Sequence, residues 1–119
     1  MNTEKIKEIM TKTKDEMNEI YGDKLKKVIL YGSYARQEQT EESDIDVMVL
    51  VDEEPFALKK YEDSLIDFEV DMNLDYDIVL SIYTKSLMEY QKYIDVLPYL
   101  KNISREGIVY YGWKGNWII

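Results

Sequence analysis

ILYGSYAR, at residues 29–36, and SDIDVMV, at residues 43–49, decide the fold of this chain. Gly32 and Ser33 follow a run of apolar residues and predict a tight turn that starts a short helix, because serine is a strong helix N-cap. Asp44 and Asp46 alternate with apolar residues, so both carboxylates project from the same face of a strand. The ten residues between Ser33 and Asp44 suffice for a short helix and a return loop. The pattern therefore predicts that the serine and both aspartates meet at the same end of two neighbouring strands.

Hydrophobic periodicity along the chain predicts helices that alternate with strands. We expect a helix over residues 3–20 with Thr3 as its cap, a strand over 25–31, a short helix over 33–39 and a strand over 44–51. A connecting helix over 56–74, a third strand over 76–83 and helices beyond Ser86, interrupted at Pro98 and stopped at Gly107, follow. In a chain of 119 residues this order predicts an α/β (α+β) fold, with one domain over residues 1–119 and a small mixed β-sheet flanked by helices.

Composition restricts the chemistry to carboxylates and hydroxyls. The chain has no histidine and no cysteine, which excludes Ser-His or Cys-His catalysis, disulfides and a zinc site with histidine or thiolate ligands. Hard oxygen ligands suit Mg²⁺, with Mn²⁺ as the alternative. A net charge of −9 repels phosphate backbones and disfavours broad nucleic-acid binding. No apolar run is long enough to span a membrane and the N-terminus lacks a secretory signal, so we expect a cytoplasmic protein without membrane contact.

The two aspartates predict a site for divalent cations. Adjacent carboxylates repel each other unless cations lie between them, and two cations about 3.5–4 Å apart stabilise both oxygens of an in-line phosphoryl displacement. We expect Gly32 and Ser33 to bind a phosphate, with Arg36 as an additional cation for a triphosphate. A third carboxylate is needed to hold one of the two cations against the acceptor, the hydroxyl that attacks the phosphorus. We expect Asp77, at the start of the third strand, to supply it, with Asp75, which has the same strand parity, as the rival.

Residues 25–83 resemble the minimal nucleotidyltransferase (MNT) family of the DNA polymerase β-like superfamily. The resemblance rests on Gly-Ser, ten residues and Asp-x-Asp, with Ala-Arg after the serine and an acidic residue further along. It implies the nucleotidyltransferase fold and the transfer of a nucleoside monophosphate from an NTP to a hydroxyl, with release of pyrophosphate. Carried over residue by residue, it implies that Gly32 and Ser33 bind the triphosphate and that two metal ions and catalysis depend on Asp44, Asp46 and Asp77.

Gln37 is a departure from the family pattern, which usually has glycine after the arginine. We expect a helix to accept glutamine at this position, so that activity is retained. The longer side chain is expected to narrow the entrance for the nucleotide.

The resemblance also implies a partner, because minimal members of the family are typically encoded beside a small HEPN protein. In such pairs the HEPN chain is an RNase toxin. The nucleotidyltransferase is the antitoxin of a type VII toxin–antitoxin pair, and it attaches AMP from ATP to a tyrosine of the toxin. Two alternatives stay open: a small-molecule nucleotidyltransferase, for example for aminoglycosides, that needs a partner subunit, and an antitoxin that neutralises its partner by binding alone. An intact set of site residues argues against binding alone.

The C-terminal third of the chain is rich in aromatic side chains, which are enriched at protein interfaces. We expect Tyr83, Tyr90 and Tyr93 to pack helices onto the sheet. Trp113 and Trp117 are better candidates for a surface that binds a partner or a second copy of the chain, and so for a homo-oligomer.

Overall fold

A computed structural model describes residues 2–112 of the chain, in which helices alternate with the strands of one sheet. The α-helices span Thr3–Tyr21 (α1), Ser33–Arg36 (α2), Glu62–Tyr76 (α3), Leu87–Tyr93 (α4) and Pro98–Glu106 (α5). The strands span Leu25–Tyr31 (β1), Ile45–Val51 (β2), Leu80–Ser86 (β3) and Ile108–Tyr111 (β4). Two 3-10 helices, Gly22–Lys24 and Pro55–Tyr61, precede β1 and α3.

The sheet is mixed, as the sequence predicts, with the strand order β3-β2-β1-β4. Strands β2 and β3 are parallel, while β1 is antiparallel to both β2 and β4. The register places Asp46 of β2 between Tyr31 of β1 and Ser81 of β3. Strand β2 is therefore central, and the carboxylate-bearing end of it has a neighbour on each side.

The alternation of side chains along the strands divides the core into two layers. On one face, α1 and α3 pack against the sheet, and α1 contributes Ile9, Met10 and Met17 at helical spacing. On the other face, α4 and α5 cover a second cluster, made by Ile29, Met48, Leu50, Tyr90, Leu100 and Ile103. Asp46 has the same parity as Met48, so its half-buried carboxylate belongs to this second face.

The N-terminal half follows the sequence-based expectation with small shifts at the ends of elements. Strand β1 has the expected bounds, and β2 begins one residue later than expected. Helix α1 is capped by Asn2 rather than Thr3, because the Asn2 side chain accepts a hydrogen bond from the Lys5 N–H at 2.8 Å. The connecting helix begins with a 3-10 segment at Pro55 before it becomes α-helical at Glu62.

The third strand was expected four residues too early, at Tyr76, because helix α3 continues through that tyrosine. Asp77 ends the helix in the left-handed conformation, with φ 54°. The Asn73 side chain then accepts a hydrogen bond from the Leu80 N–H at 2.8 Å, which fixes the start of β3. A fourth strand, Ile108–Tyr111, was not expected; it pairs with β1. Trp113 and Trp117 lie outside the described residues.

None of the helices in the described part of the chain has the length and the hydrophobicity that crossing a bilayer requires.

Candidate active site

The turn between β1 and α2 places backbone directly against the Asp46 carboxylate. Gly32 has φ 76° and ψ −155°, a conformation that is essentially restricted to glycine. A Cβ at this position would lie 2.5 Å from the Asp46 Oδ2. The site thus requires a glycine for two independent reasons, the backbone conformation and the close carboxylate. Ser33 follows as the first residue of α2, so that Gly32 rather than the serine is the N-cap, and the helix ends at Arg36 instead of continuing to position 39 as expected.

The two aspartates of the motif lie on one side of the end of β2. Asp44 precedes the strand and is exposed, while Asp46 is half-buried between its two neighbouring strands. Burial raises the pKa of Asp46, the nearby Asp44 carboxylate raises this pKa further, and the Arg36 guanidinium opposes both effects. A second negative charge at this position is therefore unfavourable without a cation, as the sequence predicts.

Arg36 lies at the end of α2 with its guanidinium between two glutamates. Its Nε is 3.6 Å from the Glu38 Oε2 and its Nη1 is 3.6 Å from the Glu106 Oε2. Both ion pairs are largely exposed, so they hold the guanidinium only weakly. The side chain is thus available for an anion that binds beside Gly32.

A cavity of about 350 Å³ opens beside this turn, between the end of the sheet and α5. It is lined by Tyr31, Gly32, Arg36, Tyr83, Tyr99, Asn102, Ile103 and Glu106. The hydroxyls of Tyr83 and Tyr99 lie 3.3 Å apart at its wall. Burial raises the pKa of the Tyr31 hydroxyl, and the charge of Asp46 raises it further. The cavity offers aromatic surfaces next to the carboxylates, which suits a ligand with a flat ring and a charged group.

The tyrosines of the cavity were missed from the sequence. Tyr83 was expected to pack a helix onto the sheet, but its side chain is 36% exposed and faces the cavity. The expectation is correct for Tyr90, which is buried in the core, and for Tyr93, which packs against the same cluster. The place of Tyr83 at the cavity follows only when the register of β3 is known, since Tyr83 shares a face with Ser81 and hence with Asp46.

Asp77 does not open the third strand, and the expected placement of this residue is wrong. It is the exposed residue that ends α3, and it lines a separate cavity of about 200 Å³ with Tyr34, Ser43 and Ile78 among its neighbours. Tyr34 and Ile78 pack against the core layer of α1 and α3, on the face opposite to Asp46. Asp75, the rival, lies exposed in the last turn of α3. Within residues 2–112 no group of three acidic side chains is arranged to hold a metal ion.

The donor set that remains fits a hard divalent cation bound together with a ligand. Asp44 and Asp46 supply carboxylate oxygens, the ligands that Mg²⁺ prefers, and Mg²⁺ completes its six-fold shell with water and phosphate oxygens. Burial, and after it the Asp44 charge, raises the pKa of Asp46, and a bound cation would oppose both effects by stabilising the ionised carboxylate. Two carboxylates and a nearby glycine turn are therefore suited to a metal-chelated phosphate compound.

The fold and the site define a nucleotidyltransferase. Residues 10–111 match the family described as "Nucleotidyltransferase domain", and the chain belongs to this family. The match spans every strand of the sheet and confirms the fold, the family and the enzyme class that the resemblance implies.

Curated relatives of this chain are named as protein adenylyltransferases. "Putative protein adenylyltransferase MJ0141" of Methanocaldococcus jannaschii is 43% identical over 82 residues, which are 67% of this chain and 81% of the relative. "Putative protein adenylyltransferase MJ0604" of the same organism is 36% identical over 112 residues, 93% of this chain and 100% of the relative. "Protein adenylyltransferase MntA" of Thermococcus cleftensis is 34% identical over 77 residues, 60% of this chain and 76% of the relative.

Solved structures support the fold at lower sequence identity. A chain in a crystal structure of a variant of the toxin–antitoxin MntA-HpeT superposes with a TM-score of 0.52 at 16% identity, covering 87% of this chain and 73% of that chain. A second variant of the same complex gives a TM-score of 0.52 at 18% identity, with 88% and 73% covered.

Proposed function

We propose that this chain transfers AMP from ATP to a tyrosine hydroxyl of a HEPN-type toxin and thereby acts as the antitoxin of a type VII pair. The names of the curated relatives, which are protein adenylyltransferases, support the reaction. The observation that carries the proposal is the close approach of the Gly32 backbone to the Asp46 carboxylate, because a glycine turn of this kind is suited to bind phosphate and the carboxylate is suited to bind a metal ion.

Each residue of the site has a distinct role in this proposal. The Gly32–Ser33 turn and the Arg36 guanidinium bind the triphosphate, and Arg36 exchanges an exposed carboxylate partner for a phosphate oxygen. Asp44 and Asp46 hold Mg²⁺, which neutralises phosphate charge and polarises the reacting phosphorus when it is bound. The cavity beside Tyr31 and Tyr83 receives the nucleoside or the acceptor ring. Asp77 takes no part in this proposal, because it ends α3 and lines a separate cavity with Tyr34 and Ile78.

The direct test is transfer of label from α-³²P-ATP in the presence of Mg²⁺ and the purified toxin encoded beside this chain. We expect label on a toxin tyrosine with the wild-type chain and at least a hundredfold less with Asp44→Asn/Asp46→Asn. Asp52→Asn is the matched control, because this exposed aspartate follows β2 at the far end from the site. It should retain full transfer.

Two other results identify the alternatives. Equal neutralisation of the toxin by the wild type and the double variant, without label, means that the chain acts by binding alone; the loss of Asp77 from the site removes one argument against that reading. Label on an aminoglycoside that depends on a partner subunit, with none on the toxin, means a small-molecule nucleotidyltransferase.

A further inference from the structure

Ser81 occupies the place beside Asp46 at which a third carboxylate would complete a two-metal site. It lies directly opposite Asp46 on the neighbouring parallel strand, on the same face, and it is exposed. We propose, resting on the function proposed above, that Ser81 makes this a site for one divalent cation and so restricts the acceptor to hydroxyls of the phenol class.

The register gives the reason why position 81 decides the number of cations. Neighbouring strands lie about 4.8 Å apart, so a carboxylate at this position would reach a cation bound to Asp46 at the metal–oxygen distance of about 2.1 Å. The serine hydroxyl is shorter by one bond and carries no charge. It cannot replace an anionic ligand that bridges to a second cation.

Other acidic side chains near this end of the sheet have different partners. Glu69 of α3 accepts a hydrogen bond from the Ile82 N–H at 2.8 Å, at the outer edge of β3. Glu106 lies 3.6 Å from Arg36 and 3.7 Å from Arg105. Strand β3 itself, which is described over its full length, has no acidic residue among its seven. Within residues 2–112, no third acidic side chain is grouped with Asp44 and Asp46 in an arrangement that could hold a cation.

The missing carboxylate limits which acceptor can react. In the transfer, the acceptor oxygen forms a bond to the α-phosphorus, the bond from that phosphorus to the bridging oxygen breaks, and pyrophosphate leaves with the electron pair. The acceptor proton goes to water. A phenol, with a pKa of about 10, ionises far more readily than an aliphatic hydroxyl or water, whose pKa is about 15.7. Without a second cation to ionise the acceptor, only the phenol reaches a useful concentration of its anion.

The number of cations can be counted by electron paramagnetic resonance, without any turnover. Each protein is mixed with an equimolar amount of an ATP analogue that has a methylene group between the α- and β-phosphates, and Mn²⁺ is then added. We expect one bound Mn²⁺ with an uncoupled spectrum for the wild type. Ser81→Asp should bind two, with the spin coupling of ions about 4 Å apart. Ser64→Asp, the same change at an exposed site on α3, should match the wild type.

A second measurement addresses the acceptor. Water is a weakly acidic acceptor, so hydrolysis of ATP to AMP and pyrophosphate should be at least tenfold faster for Ser81→Asp than for the wild type and Ser64→Asp. Two coupled Mn²⁺ ions in the wild type, no gain of a cation in Ser81→Asp, or equal hydrolysis by wild type and Ser81→Asp would each overturn the inference. Absence of nucleotide-dependent Mn²⁺ binding in the wild type would instead overturn the proposed function.

Discussion

Two non-glycine residues have left-handed backbone within the described chain, Gln37 with φ 59° and Asp77 with φ 54°. Each of them follows the last residue of a helix, a position that favours glycine because glycine has no Cβ. The family pattern that the sequence resembles usually has glycine at position 37, and the sequence predicts that Gln37 lies within the helix. The structure corrects this: Gln37 follows α2 as its cap, and the glutamine is accommodated with strain.

Gln37→Gly is therefore expected to stabilise the fold. The change removes a left-handed glutamine, worth about 1 kcal/mol in the free energy of unfolding, against a small entropic cost in the unfolded chain. Urea unfolding followed by circular dichroism measures it. Gln39→Gly, in the irregular segment beyond the helix, is the comparison and should be neutral or destabilising; the same gain in both variants would contradict the conformational explanation.

Gly32→Ala should remove nucleotide binding. The added Cβ meets the Asp46 carboxylate and forces a conformation that costs of order 1–3 kcal/mol for a residue other than glycine. We expect the dissociation constant for Mg²⁺-ATP, measured by calorimetry, to be at least tenfold larger. We also expect a lower free energy of unfolding. Gly22→Ala is the control, since Gly22 also has a positive φ, 56°, but nothing lies within 4 Å of its Cβ position. It should lose stability and keep nucleotide affinity.

At the scale of elements, α3 protects the exposed edge of the sheet. Strand β3 is an edge strand, and two of its outward N–H groups donate to side chains of α3: Leu80 to Asn73 and Ile82 to Glu69, each at 2.8 Å. Edge strands with free N–H groups invite pairing with other chains. Helix α3 thus fixes the start of β3 and also covers its hydrogen-bonding edge.

Asn73→Leu should destabilise the protein by about 1–3 kcal/mol, because the Leu80 N–H loses its acceptor near the core. Asn73→Asp retains an acceptor oxygen and should cost much less. Chemical denaturation provides both values. Similar losses in the two variants would show that the amide acts through packing rather than through this hydrogen bond.

The turn after β2 is held by Glu53, which accepts a hydrogen bond from the Tyr61 hydroxyl at 3.0 Å and lies 3.4 Å from both Lys24 and Lys60. The Tyr61 hydrogen bond, followed by Lys24 and Lys60, lowers the pKa of Glu53. A lowered pKa in the folded state means that the ionised carboxylate stabilises the fold above the unfolded value. That contribution disappears as the pH falls through the folded pKa.

Glu53→Gln should consequently destabilise the protein at pH 7 and lose less stability on acidification. The difference between wild type and variant is expected to shrink as the pH falls below about 4.3, the usual pKa of glutamate. Thermal unfolding between pH 7 and pH 3 gives the comparison. A difference that is constant with pH would mean that the ion pairs and the hydrogen bond contribute nothing specific to the charged form.

Sequence patterns predicted the elements whose periodicity is local and missed what depends on register. Strand β1 and the Gly32 turn follow from consecutive residues, and their bounds are correct. The position of Asp77 depends on where α3 ends and β3 begins, and the start of β3 is fixed by a hydrogen bond that the Leu80 N–H donates to the Asn73 side chain. The roles of Ser81 and Tyr83 depend on which residue of β3 lies opposite Asp46, and pairing between distant segments cannot be read from alternation alone.

At the scale of the whole molecule, acidic charge opposes folding. The chain carries 24 acidic against 15 basic residues, and α3 alone, Glu62–Tyr76, has acidic side chains in every turn and no basic one. Like charges four residues apart destabilise a helix, and a high net charge adds repulsion in the compact state. The core therefore has to stabilise the fold against this charge.

Added salt should stabilise the protein as a result, because screening weakens repulsion between exposed charges. We expect the urea midpoint to rise between 20 and 500 mM NaCl. Asp67→Lys, which removes one acidic residue between Asp63 and Asp71 on α3, should raise the midpoint at low salt and reduce its dependence on salt. A midpoint that falls with salt in the wild type would mean that attractive ion pairs dominate.

The central position of β2 has a further consequence for how such a site changes over time. The residues that follow Asp46, Val47 to Val51, are buried in a strand with a neighbour on each side. This buried strand beneath the site thus belongs to the most cooperative part of the molecule, and its hydrogen bonds open only when the whole chain unfolds. Substitutions around the site, on α2 and α5 and at position 81, can therefore change the substrate while the buried strand β2 is retained.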